Sequence, residues 1–168
     1  KQKTLIDEHA YWLVGRKTLI PEVSGSFAYD KLVMLHGESA SGPISYGNLQ
    51  LVVDFSTGSV IDDSCFEFYI DSSNDFWSID LSGSFLSQYS RLDLNVDSGY
   101  KNSTTAPVTG VVTGNIYGSD SVGAGGAIHL WVDGTPSDYL TGIYLAEKRA
   151  VDNTFDARLT ATEEYYLK

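Results

Sequence analysis

The chain has 168 residues, 42% of them hydrophobic and 20% charged, with a formal net charge of -11. This composition is globular, and the length is enough to bury a core without disulfide staples, which excludes a disordered chain. So acidic a surface repels phosphate backbones and anionic headgroups, which argues against nucleic acid as a partner and against docking on anionic lipid.

The first twenty residues, Lys1–Ile20, read as an arm or a first strand. Leu5, His9, Trp12 and Leu13 fit one helical face, and Tyr11 to Val14 fit a strand equally well. Pro21 ends the segment. From Val23 the punctuation becomes regular. Apolar-rich runs at Val23–Leu35, Tyr46–Phe55, Phe66–Ile70, Phe76–Phe85, Arg91–Val96, Val108–Tyr117, Gly126–Val132 and Tyr139–Glu147 are separated by Gly, Ser, Asp and Asn clusters. Eight short runs at this spacing predict an all-β barrel or sandwich.

Several runs alternate. Leu49, Leu51 and Val53 share one face, opposite Gln50, Val52 and Asp54. Trp77, Ile79 and Leu81 oppose Ser78, Asp80 and Ser82, and Leu92 and Leu94 oppose Asp93 and Asn95. Period-two alternation predicts one buried and one wet face, hence antiparallel strands. The expectation is an eight-stranded antiparallel β-barrel over residues 23–148. The N-terminal arm (1–22) and the C-terminal segment (149–168) are expected to pack on it. Residues 157–165 suit a short helix or a last strand. A β-sandwich is the runner-up.

The chemistry-bearing residues are sparse. Cys65, the single cysteine, sits among Phe66, Phe68 and Tyr69 and is read as a small buried hydrophobe. His9, His36 and His129 have no metal-ligand spacing. If Ile128 and Leu130 face inward, His129 faces out with Ala127 and Trp131. Asp71-Ser72-Ser73-Asn74-Asp75 offers oxygens at alternate positions, but Phe76 stands where an EF-type calcium loop needs Gly, so a turn is expected. The Gly-rich stretch Val122–Ala127 lacks the Lys-Ser/Thr of a phosphate loop. No enzymatic activity, metal or cofactor is expected. The competing enzyme class is a carbohydrate-active or calycin-like isomerase barrel with two nearby acids in a deep cavity. No apolar run approaches the roughly 20 residues of a membrane-spanning helix, so direct membrane insertion of this fragment is not expected.

Residues Gly110–Lys148 carry a more particular pattern: Gly-x-x-x-Gly, Asn115-Ile116-Tyr117-Gly118, a small-residue turn, Gly125-Gly126 opening a hydrophobic strand, and Thr141-Gly142-Ile143-Tyr144 with Ala146 and Lys148. This resembles the β-barrel domain of transferrin-binding protein B-like surface lipoproteins. Leu51–Gly58 and Trp77–Gly83 extend the likeness to roughly residues 23–148. The resemblance implies a non-catalytic binding or structural module in the cell envelope, periplasm or on the surface of a Gram-negative bacterium, with a link to iron or haem-protein acquisition. There is no room for the handle domain of those proteins, so transferrin binding itself is not carried over. A lipocalin-like small-molecule barrel is the alternative.

A protein partner is expected to meet loops at one barrel end, namely His36–Ser45, Ser72–Asp75, Gly99–Pro107 and Asp133–Asp138. Tyr46, Phe76, Tyr100 and Tyr139 flank these loops as aromatic anchors. Asp71, Asp75, Asp133 and Asp138 beside them predict a basic partner and salt-sensitive binding.

Overall fold

The computed structural model describes residues 23–102, 106–118 and 121–150. The expectations for residues 1–22, for 151–168 and for the middle of the Gly99–Pro107 loop lie outside the described residues.

Among the described residues the chain forms nine strands: β1 (Ser26–Ser39), β2 (Gly42–Pro43), β3 (Tyr46–Asp54), β4 (Ser59–Ile70), β5 (Asp75–Leu86), β6 (Arg91–Lys101), β7 (Val108–Tyr117), β8 (Gly123–Val132) and β9 (Thr135–Ala150). All pairings are antiparallel, and each long strand pairs with the next. β9 returns to β1 over the register Phe27↔Ala150 to Ser39↔Leu140, which closes an eight-stranded barrel. β2 is a two-residue extension that folds back on the end of β1. All eight apolar runs become strands, and most strands extend beyond their runs because the ladder continues through polar residues.

Alternation decides what faces inward. Leu49, Leu51, Val53, Trp77, Ile79, Leu81, Leu92 and Leu94 are all buried. Phe66, Phe68, Tyr29 and Tyr144 fill the centre, and Phe66 meets Tyr144 edge-on at 4.8 Å. Burial pushes the Tyr144 hydroxyl well above the ordinary tyrosine range; the hydroxyl donates to the Thr113 carbonyl at 3.2 Å. Val52, on the wet parity, is buried as well. Its amide donates to Ser64 Oγ at 3.0 Å, at a break in the β3–β4 register where the parity rule lapses. The outer face carries Lys31, Asp63, Glu67, Asp80 and Asp97. An apolar interior inside a charged wall is the reverse of a membrane-spanning barrel. Among the described residues no helix is long and apolar enough to cross a membrane.

The wall is not uniform. β1 pairs with β3 only along Ser26–Tyr29, and β6 with β7 only along Arg91–Leu94. Towards the other end, β3–β6 and β7–β8–β9–β1 therefore lie as two four-stranded halves with side chains packed between them. Near the upper end Tyr100 bridges to Pro107, and the wall as a whole is the closed eight-stranded barrel that the alternation predicts, not a sandwich of two open-edged sheets.

Candidate functional site

Strand direction collects the loops. β1 runs up, β3 down, β4 up, and so on to β9. The turns at residues 40–45, 71–74 and 133–134, together with Asn102 and Ala106–Pro107, therefore lie at one end. The chain enters β1 and leaves β9 at the opposite end, where Phe27 pairs with Ala150. At the loop end, hydrogen bonds link each loop to its neighbour. Ser72 Oγ donates to the Ser41 carbonyl (3.1 Å), and the Asp71 amide donates to Ser45 Oγ (2.9 Å). The Phe76 amide donates to Asn102 Oδ1 (2.6 Å), the Asp133 amide to the Pro107 carbonyl (2.9 Å), and the Ala40 amide to the Tyr139 carbonyl (2.9 Å). The loops thus form a bonded rim.

Tyr46, Phe76 and Tyr100 come together on the outer face just below this rim. Tyr69, not singled out from the sequence, joins them. Tyr46 stacks on Tyr69 with centroids 4.3 Å apart, Tyr69 meets Phe76 at 4.7 Å, and Phe76 meets Tyr100 at 5.8 Å. The row crosses four strands because Tyr46 pairs with Tyr69 and Tyr69 with Phe76 in register. Turn length held the missing signal. The four-residue turn Asp71–Asn74 pairs Ile70 with Asp75, which puts Tyr69 beside Phe76. Tyr139 stands apart on the other half, paired with Trp131 and 6.5 Å from His129. His129, Ala127 and Trp131 do face outward, as the alternation predicts.

The four acids separate into two kinds. Asp75 is buried and faces inward at the mouth of the barrel. Lys101, also buried, lies 3.2 Å from Asp75 Oδ2 and 2.7 Å from Asp138 Oδ1. Its Nζ sits 5.1 Å from the centroid of the Trp77 ring. Burial alone would raise the Asp75 carboxyl. Hydrogen bonds from Ser41, Asn102, Ser73 and Lys101 outweigh it and lower the carboxyl to about 2. Burial likewise works against the Lys101 ammonium, and the two aspartates overcome it and raise its pKa. Asp71 and Asp133 are exposed, and Asp133 Oδ1 accepts from the Gly134 amide. Asp75 and Asp138 therefore close the barrel mouth, while Asp71 and Asp133 face solvent.

An open groove of about 660 Å³ lies along the aromatic row, lined by Tyr46, Tyr69, Phe76, Asp71, Asp75 and Asn102 among others. Among the described residues no three His, Cys, Asp or Glu side chains gather in a way that could hold a metal ion. Cys65 differs from its expected place. It lies half-buried on the outer wall, because Phe66 and Phe68 take the inward parity. Burial, then Glu67, Asp80 and Asp63, raises its thiol pKa.

No family model matches the sequence, and no curated protein matches it. Among solved structures, the chain is similar to isotype 1 transferrin binding protein B from serogroup B Neisseria meningitidis, at 14% identity and a TM-score of 0.45. The match covers 82% of this chain and 28% of that one, so this chain spans under a third of the length of the protein it matches.

Proposed function

We propose that this barrel is a non-catalytic binding or structural module of a bacterial envelope or surface protein, and that its rim loops and aromatic row meet a protein partner. The observation that carries this reading is the convergence of the four predicted loops on one hydrogen-bonded rim, opposite the end where the chain enters and leaves the barrel. A rigid wall presenting loops is a common way to build a contact surface. The row of Tyr46, Tyr69, Phe76 and Tyr100 supplies the side-chain types that concentrate interface energy. Trp77, Tyr29, Tyr144, Phe66 and Phe68 fill the interior, which counts against the lipocalin-like alternative, since that needs a cavity of roughly 300 Å³ or more.

The envelope setting and the link to iron or haem-protein acquisition follow from the Gly110–Lys148 sequence pattern and belong to the same proposal. The test is capture from host serum and from bacterial envelope extracts by the immobilised barrel, at low and high salt. A variant with all four rim loops replaced by Gly/Ser linkers serves as control. A partner lost with the loops and weakened by salt supports the reading. A partner that still binds the four-loop variant refutes it.

A further inference from the structure

The tip of the β8–β9 hairpin sets a backbone nitrogen against a carboxyl carbon that it can attack. Val132 pairs with Thr135, so Asp133 and Gly134 alone make the connection. Both are exposed. The Gly134 amide donates to Asp133 Oδ1 at 3.0 Å, which keeps the nitrogen beside the carboxyl carbon, one bond short of a five-membered ring. Gly134 has φ +75° and nothing lies within 4 Å of the place a Cβ would take. No side chain therefore shields its nitrogen, and the backbone is free to turn into the attacking geometry. Other aspartates followed by a small residue are placed differently. Asp97 precedes Ser98 within β6, and its Oδ1 accepts from Ser82 Oγ at 2.9 Å. Asp71 precedes Ser72, whose side chain flanks the nitrogen and is tied to the Ser41 carbonyl at 3.1 Å.

We propose that Asp133 is a modification site, at which the folded chain isomerises spontaneously to isoaspartate. The Gly134 nitrogen attacks the carboxyl carbon of Asp133 in its protonated form. The new N–C bond forms as a carboxyl C–O bond breaks. The nitrogen gives up its proton and one water leaves, which closes a five-membered imide. Water then adds to one of the two imide carbonyls and breaks its bond to the nitrogen. Addition at the side-chain carbonyl restores aspartate. Addition at the main-chain carbonyl routes the chain through the former side chain and leaves isoaspartate at unchanged mass. Water is the only co-reactant. The product carries one extra methylene in the backbone of the tip. The Asp133 amide there bonds the Pro107 carbonyl at 2.9 Å, so the change falls on the link between two rim loops. The inference stands whether or not the rim meets a partner.

The test incubates the folded protein at neutral pH and body temperature for several weeks. It is then cut with endoproteinase Asp-N, which cleaves before aspartate and not before isoaspartate. The cut between Val132 and Asp133 is expected to be lost at unchanged mass, about fivefold faster than the cuts before Asp71 and Asp97. Protein-isoaspartate methyltransferase should label the same stretch with a methyl group. Gly134→Ala is expected to slow the loss by about fivefold, since its Cβ crowds the nitrogen and restricts the turn. Asp133→Glu should abolish the methyl label there, because the longer side chain would have to close a six-membered ring. If Gly134→Ala fails to fold, the ranking of Asp133 against Asp71 and Asp97 in the parent decides. Loss at Asp133 no faster than at Asp97, or an unchanged rate in folded Gly134→Ala, overturns the proposal. Isomerisation that appears only in urea also overturns it, since the folded turn would then prevent the attack.

Discussion

Lys101 reaches Asp138 across the mouth of the barrel, Nζ to Oδ1 2.7 Å, although 37 residues separate them in the chain. The ammonium holds together β5, β6 and β9, since Asp75 lies on its other side at 3.2 Å. Among the described residues it is the only cation in this buried cluster. Lys101→Met should therefore leave two carboxylates near one another with no positive charge between them. We expect a loss of about 3 kcal/mol, measured by urea unfolding at neutral pH. The variant should recover stability as the pH is lowered, because protonating Asp75 relieves the repulsion between the carboxylates. A Lys101→Met protein as stable as the parent would show that the cluster contributes nothing.

In the parent the pH dependence has the opposite sign. The folded Asp75 carboxyl is lowered to about 2, against an unfolded value of about 4. A depressed carboxyl contributes stability above the unfolded pKa and loses it as pH falls towards the folded one. Stability should fall by about 1–2 kcal/mol between pH 4 and pH 2 on account of this group. Asp75→Asn should be less stable at pH 7 and should lose less over that window. Parallel stability curves for parent and variant would contradict the assignment.

The wall of the barrel was legible in the sequence, and its mouth was not. Trp77 and Leu92 declare their parity because each begins a strict alternation of apolar and polar neighbours. Lys101 and Asp138 read as ordinary loop charges, since nothing local shows that β6 and β9 meet an inward Asp75 there. Pairing across 37 residues is a property of barrel closure and has no local signal. Cys65 was misread for a different reason. Its apolar neighbours suggested burial, but Phe66 and Phe68 occupy the inward positions and force it onto the other parity. The grouping of Tyr46, Phe76 and Tyr100 needed register as well as turn position.

Glycine positions inside the barrel give a sharper test of closure. Gly126 lies opposite Gly114 in the β7–β8 ladder. A Cβ on Gly126 would overlap the Thr113 carbonyl oxygen and come within 2.8 Å of the Gly114 Cα. Backbone cannot step aside as a side-chain tip can. Gly126→Ala should cost about 3 kcal/mol, at the upper end of overpacking penalties. Gly134, at φ +75° in the β8–β9 turn with nothing near its Cβ position, is the control. Gly134→Ala pays only for the left-handed conformation, about 1 kcal/mol. Thermal melts of the two variants should rank them in that order, and the reverse order would place the close approach elsewhere.

The thiol of Cys65 reports which way β4 faces. It lies in register between Gln50 and Asp80 on the outer wall. Burial, then the charges of Glu67, Asp80 and Asp63, raises its pKa, so little thiolate is present near neutral pH. The folded protein should therefore react with a disulfide reagent without unfolding, and more slowly than a free thiol. The rate should rise with pH as the thiolate forms. It should also rise with salt, which screens the three carboxylates. Adding urea below the unfolding midpoint should change it little. A thiol that reacts only at the rate of global unfolding would instead face the core, and would reverse the inward assignment of Phe66 and Phe68 along with it.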